Sequence, residues 1–113
     1  MSNGTDRDLF VTMTGFAKRA GKIIYGYDNL QANKRIKMLA VSDTASDNLK
    51  SDMNRLAEKR GVPLVTVRAL ENTVGNNVKA LGFTDGNMSK AAVEYARRGA
   101  PNYSVKEREK PRR

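Results

Sequence analysis

Neither cysteine nor histidine occurs in this chain of 113 residues. Without cysteine there is no disulfide and no thiolate metal site. Without histidine the commonest general base and the commonest metal ligand are missing together. Long apolar runs are also lacking. The strongest, Met38 to Val41, is far short of the about 20 residues that a membrane-crossing helix needs. The opening MSNGTDRDLF has no apolar run behind a basic stretch, so it does not read as a secretory signal. These absences lead us to expect a soluble cytoplasmic protein with no membrane partner, no metal and no other cofactor.

Catalysis has little to draw on. Ser42 with Asp43, or the carboxylates of Asp43, Asp47 and Asp85, are the available candidates, and all stand in turn or helix-cap contexts that already explain them. Gly21-Lys22 is followed by Ile23, which excludes a Walker-type phosphate loop. We therefore expect a binding protein, not an enzyme.

Charge is what the chain has in excess. Lys and Arg number 21 against 12 Asp and Glu, a formal net charge of +9. Such a field concentrates polyanions, with nucleic acid the usual partner. The excess is uneven: Arg97, Arg98, Lys106, Arg108, Lys110, Arg112 and Arg113 oppose only Glu107 and Glu109, so the last stretch carries +5 of the total.

The length allows one domain. Leu9, Met13, Phe16, Ala17 and Ala20 form one helical stripe, closed by Lys18, Arg19 and Gly21. Ile23 to Tyr25 reads as a short strand, and Tyr27 to Lys34 as a helix with Asp28 in its first turn. Met38 to Val41 reads as a strand buried on both faces. Ser42 to Asp47 supplies turn and cap residues, and Leu49, Met53, Leu56 and Ala57 mark the next helix, ended by Lys59, Arg60 and Gly61. A strand over Leu64 to Val67, a helical turn over Leu70 to Val74, and a strand marked by Val78, Ala80, Leu81 and Phe83 follow. Asp85 to Asn87 reads as a turn before a last helix from about Ser89 to Arg98. This alternation predicts a three-layer α/β/α sandwich around a small mixed four-stranded sheet. Residues 1–98 make the domain; residues 99–113, with Pro101, Pro111 and dense charge, read as a basic flexible tail that buries nothing.

The stretch Phe16-Ala-Lys-Arg-Ala-Gly-Lys-Ile-Ile-Tyr-Gly26 resembles the start of the kink-turn-binding ribosomal protein superfamily. There a first helix ends in Arg-Ala-Gly-Lys, and a short strand and a second glycine lead into an RNA-contacting helix. Met38-Leu-Ala-Val-Ser-Asp43 and Ala45-Ser-Asp-Asn48 resemble that family's buried strand and loop. Arg60-Gly-Val-Pro63 is similar to the lead-in to its third strand, and Leu70-Glu-Asn-Thr-Val-Gly75 to its Leu-Gly-x-x-x-Gly helix. Asp85 stands where bacterial YlxQ-like members, the nearest branch, carry an Asp. The resemblance covers roughly residues 9–96. It implies recognition of a sharply bent RNA internal loop with tandem G·A pairs, hence structured RNA, ribosomal RNA and the ribosome as partners, bound by a monomer.

Carried onto this chain, the resemblance assigns RNA contacts to Arg19, Lys22, Gly26, Tyr27, Asp28, Asn29, Lys34 and Arg35. Gly26 lets backbone approach RNA closely, and Lys22 suits a phosphate as a point charge. Tyr27 offers a ring for stacking or a half-buried anchor. RNA-reading members carry Asn-Glu after the Gly-x pair and a Lys three residues on, where this chain has Asp28, Asn29 and Ala32. Asn29 substitutes for Glu as a polar reader, Asp28 is a first-turn carboxylate, and Lys34 and Arg35 restore charge one turn later. The family's second contact region corresponds to Phe83, Thr84, Asn87 and Met88, with Phe83 suited to the core. An adaptor for another protein is the competing expectation. An RNA binder would gather Lys18, Lys22, Lys34 and Arg35 beside Gly26; an adaptor would expose apolar surface there.

Overall fold

The computed structural model of the protein describes residues 5–75, 77–99 and 103–106. Five helices and five strands alternate: α1 (Thr5–Arg19), β1 (Ile23–Tyr25), α2 (Tyr27–Ala32), β2 (Met38–Ser42), α3 (Asp47–Arg60), β3 (Leu64–Val67), α4 (Leu70–Val74), β4 (Ala80–Phe83), α5 (Gly86–Arg98) and β5 (Tyr103–Lys106). The strands form one mixed sheet in the order β1-β4-β2-β3-β5. Only β2 and β3 are parallel; β1–β4, β2–β4 and β3–β5 are antiparallel. Among the described residues, no helix is long and apolar enough to cross a membrane.

Strand alternation builds two cores, one on each face. Met38 and Ala40 join Val65, Val67, Leu81 and Phe83 under α1, α4 and α5. Leu39 and Val41 join Leu64 and Ala80 under α2 and α3. All five residues of β2 are buried, as expected of a central strand covered on both sides.

Helix ends follow their local chemistry. Ser46 accepts the Leu49 N–H at 3.1 Å and starts α3, and Gly61 in the left-handed region ends it. Asp85 accepts the Met88 N–H at 2.8 Å, so α5 begins at Gly86. The expected turn at Asp85 to Asn87 is thus a cap and the helix's first residues. Residue 82 is glycine because a Cβ there would lie 2.7 Å from Leu30 Cδ2 and 3.0 Å from the Met38 carbonyl oxygen. This close approach seats α2 directly on the sheet.

Three expectations need correction. The sheet has five strands, not four, because Tyr103–Lys106 pairs with β3. The domain therefore does not end at residue 98, and the stretch from 99 does bury a residue: Tyr103 packs against Phe10 and Tyr95, with ring centroids 5.3 and 5.7 Å apart. The flexibility expected of 100–102 and 107–113 lies outside the described residues. In α1 the buried stripe is Phe10, Thr14 and Ala17, whereas Phe16 and Ala20 are exposed and the Leu9 side chain lies outside the described part. Thr14 tolerates burial because its hydroxyl donates to the Phe10 carbonyl at 2.9 Å.

Candidate nucleic-acid interface

Strand register decides which of the proposed contact residues stand together. Ile23 and Met38 both pair with Phe83, so the start of β1, the start of β2 and the end of β4 share one end of the sheet. Tyr25 pairs with Leu81, and the Gly26 N–H donates to Ala80 O at 3.0 Å, which places Gly26 at the other end. Lys22 and Gly26 are four residues apart along an extended edge strand, about 13 Å at 3.3 Å per residue.

The predicted site therefore divides. Gly26, Tyr27, Asp28 and Asn29 belong to one end of the sheet. Lys22 belongs to the opposite end, with Arg19 just before it at the close of α1 and Lys34 and Arg35 on the connection that leads into β2. Lys18, Lys22, Lys34 and Arg35 therefore share the end of the sheet opposite Gly26, not the end beside it.

At the Lys22 end, Lys18, Arg19, Lys22, Lys34, Arg35, Lys37, Lys59 and Lys90 are all exposed. The ion pairs between described residues, Arg55–Asp52 and Arg97–Glu94, include none of them. Thr84 N–H donates to Lys22 O at 2.9 Å and Lys37 N–H to Phe83 O at 2.8 Å, tying the three connections into one surface. Lys37 and Lys90 line a common open depression of about 370 Å³ beside α5, together with Pro63, Gly86 and Ser89. The Ser89 hydroxyl is buried there with no hydrogen-bond partner. Lys106 lies opposite Leu64 at this same end. Arg60 is spent on structure: its guanidinium donates to Asn33 O at 2.6 Å and to Gln31 O at 2.5 Å, holding the carbonyl end of the six-residue α2 against α3.

At the Gly26 end stand Asp28, Asp43, Asp47 and Glu71 against Arg68 and Lys79, with Arg98 closing α5 on the side where Tyr103 pairs with Val67. Gly26 has φ 87°, a value strained for any residue with a Cβ, and turns the chain from β1 into α2. The Asn29 Nδ2 donates to Tyr25 O at 2.9 Å. One donor of that amide is thereby used, which leaves its second N–H and its oxygen for a ligand. Tyr25 and Tyr27 are half-buried against different cores, and burial pushes the Tyr25 phenol up from its ordinary value. With Leu49, Asn77, Val78, Lys79 and Ala80 they line an open groove of about 350 Å³.

Behind this groove lies a polar lock that sequence reading missed. The buried Ser42 hydroxyl donates to Glu71 Oε1 at 2.6 Å and accepts the N–H groups of Leu70 and Thr44, both at 3.2 Å. Thr44 donates to the other Glu71 oxygen at 2.7 Å, and Asp43 accepts the Ala69 N–H at 2.9 Å. These bonds hold Ala69 at φ 51° and fix α4 to the end of β2. The Ser42 and Thr44 hydroxyls, the backbone N–H and the nearby Lys79 hold the Glu71 carboxyl well down, at about 2. Of the second contact region, Phe83 is fully buried, as expected for core, while Asn87 is exposed and Thr84 and Met88 are half-buried.

No family model matches this sequence, and no curated protein aligns with it significantly. A solved structure described as a protein with unknown function from Bacillus halodurans C superposes with a TM-score of 0.69 at 16% identity, over 76% of this chain and 94% of that one. At that identity the likeness is one of fold.

Proposed function

We propose that the protein binds structured RNA, ribosomal RNA first among candidates, as a three-layer α/β/α domain of the kink-turn-binding kind. The observation that carries this reading is the charge division of the sheet. One end gathers eight exposed lysines and arginines against Glu58 and Asp85, and the other sets Asp28, Asp43, Asp47 and Glu71 against Arg68, Lys79 and Arg98. Phosphates are drawn to the Lys22 end, where each Lys or Arg that neutralises one releases counterions. Along the β1 edge, the same RNA reaches the Gly26 turn, where the Asn29 amide oxygen offers an acceptor to an exocyclic amino group such as that of guanine. Phosphate contacts position the domain and Asn29 reads the loop.

The test is a salt-series titration with a kink-turn RNA and with the same RNA after its tandem G·A pairs are replaced by Watson–Crick pairs. Both the full chain and residues 1–106 are used, since truncation at 98 would remove β5. Preference of the shorter protein for the bent RNA at moderate salt is the expected result. Equal binding of the two RNAs that disappears with residues 107–113 would end the kink-turn reading.

One observation favours a second reading. The groove beside Gly26 is walled by Tyr25, Tyr27, Leu49 and Val78, with Lys79 its one cation. That is the apolar surface an adaptor would present to another protein. Failure of both RNAs to bind at low salt would move the reading there.

A further inference from the structure

Phe16 is the one large apolar side chain exposed among the described residues, with half of its surface open to water. It sits in the last turn of α1, where Ala20 N–H donates to its carbonyl at 2.9 Å, directly before the turn that delivers Lys22. The Arg19 guanidinium lies over its ring, 5.1 Å from the centroid. An aromatic ring in the apolar stripe would have packed inward. This one projects at the basic end of the sheet, with Lys18, Arg19 and Lys22 as sequence neighbours, all exposed.

We infer that Phe16 is a stacking platform for one unpaired nucleobase, with Arg19 extending the stack and Lys22 holding an adjoining phosphate. The inference rests on the RNA-binding reading and names the feature of the RNA that the basic end selects. A ring supplies a flat apolar face that any base can cover, and the surrounding cations attract the phosphates that the base brings with it. Charge alone would bind paired and unpaired strands alike. Bases inside a duplex keep their faces covered by stacking, so a ring among cations selects a bulge, loop or single-stranded segment. Because Phe16 is outside both cores, replacing it leaves the fold in place.

The chain contains no tryptophan, so Phe16→Trp installs a single fluorescent reporter at the platform. Wild type, Phe16→Ala and Phe16→Trp are titrated with a twelve-nucleotide oligoadenylate and with an abasic oligomer of the same length and charge. Phe16→Ala is expected to bind the oligoadenylate about tenfold more weakly, within the range for loss of one base–aromatic stack. Its affinity for the abasic oligomer stays at the wild-type value. Phe16→Trp keeps wild-type affinity, and its fluorescence is quenched by the oligoadenylate but not by the abasic strand. Equal affinity of wild type and Phe16→Ala for the oligoadenylate overturns the platform while leaving RNA binding by charge intact. An equal loss on both oligomers also overturns it. If wild type binds neither oligomer at low salt, the RNA-binding reading and the platform fall together.

Discussion

The two ends of this sheet are built from the same five strands and differ in what their connections carry. At the end where β2 and β3 begin, the connections are short and carry lysine and arginine, mostly with no structural duty. At the end where those strands finish, Asp43 braces Ala69, Glu71 locks α4, and Gly26 and two tyrosines shape a groove. The difference separates two tasks that the linear sequence runs together. Lys22 and Gly26 are neighbours in the chain, yet a three-residue strand puts them at opposite ends. On the proposed reading, the basic end supplies long-range attraction, and the Gly26 end supplies shape and the Asn29 amide.

The comparison breaks most visibly if charge is reversed at one end and then the other. Lys22→Glu with Arg35→Glu is expected to weaken RNA binding by more than an order of magnitude. It should also flatten the slope of log affinity against log salt by about 2, one for each phosphate that is no longer neutralised. Reversing Arg68 and Lys79, which flank α4 at the Gly26 end, should change affinity far less. Equal losses from the two pairs, measured by titration in a salt series, would show that the charge division does not direct binding.

A second test asks whether β5 is part of the domain. Tyr103 lies under α5 against Phe10 and Tyr95. Tyr103→Ala is expected to lower stability by about 3 kcal/mol, the low end for removing a buried ring. Chemical denaturation measures this directly. A loss below about 0.5 kcal/mol, the range of an ordinary surface substitution, would return residues 99–106 to the status of an appended tail.

How much of this was legible beforehand follows from what each signal depends on. Periodicity and caps are local, and they placed β3 and α4 as they are observed and most other boundaries to within a few residues. Phe16 fits the apolar stripe by its spacing from Leu9, Met13 and Ala17, whereas the packing of α1 turns Phe10, Thr14 and Ala17 inward. Strand β5 itself offers four residues, Tyr103, Ser104, Val105 and Lys106, whose alternation is too short to register amid a charged stretch with Pro101. The division of the site was illegible because it depends on register: nothing in Lys22 to Gly26 says that the intervening residues run as an edge strand. The Ser42–Glu71 lock joins residues 29 apart and had no local signal either.

The Gly26 end can be perturbed without touching its polar residues. Gly82→Ala places a Cβ 3.0 Å from the Met38 carbonyl, which cannot swing away as a side chain would. Overpacking of this kind costs about 2 kcal/mol. Because Leu30 Cδ2 at 2.7 Å and Ile36 Cδ1 at 3.2 Å are the side-chain atoms in the way, α2 is expected to lift and carry Asn29 with it. In RNA titrations the variant should lose discrimination between bent and fully paired RNA while keeping its salt slope, since no lysine or arginine is replaced. A change in slope with discrimination intact would reverse the roles assigned to the two ends.

The smallest effect concerns the carboxylate behind the groove, and its sign follows from linkage. Glu71 titrates at about 2 in the folded protein, against an ordinary value of 4.5. The hydroxyls of Ser42 and Thr44, which donate to it, favour its charged form. A folded-state pKa below the unfolded one contributes stability that is complete above pH 4.5 and is lost as the pH falls from 4.5 towards 2. Glu71→Gln removes the titration and places an amide donor where both neighbouring hydroxyls need an acceptor. The variant should be less stable than wild type at neutral pH, and the gap should narrow through that acid window. Denaturation curves at a series of pH values test this. Parallel curves across the window would mean that Glu71 does not hold α4 to the end of β2. Glu71 stands at the end of the sheet opposite Lys22, so RNA affinity, measured at neutral pH, should be the same in the variant and in wild type.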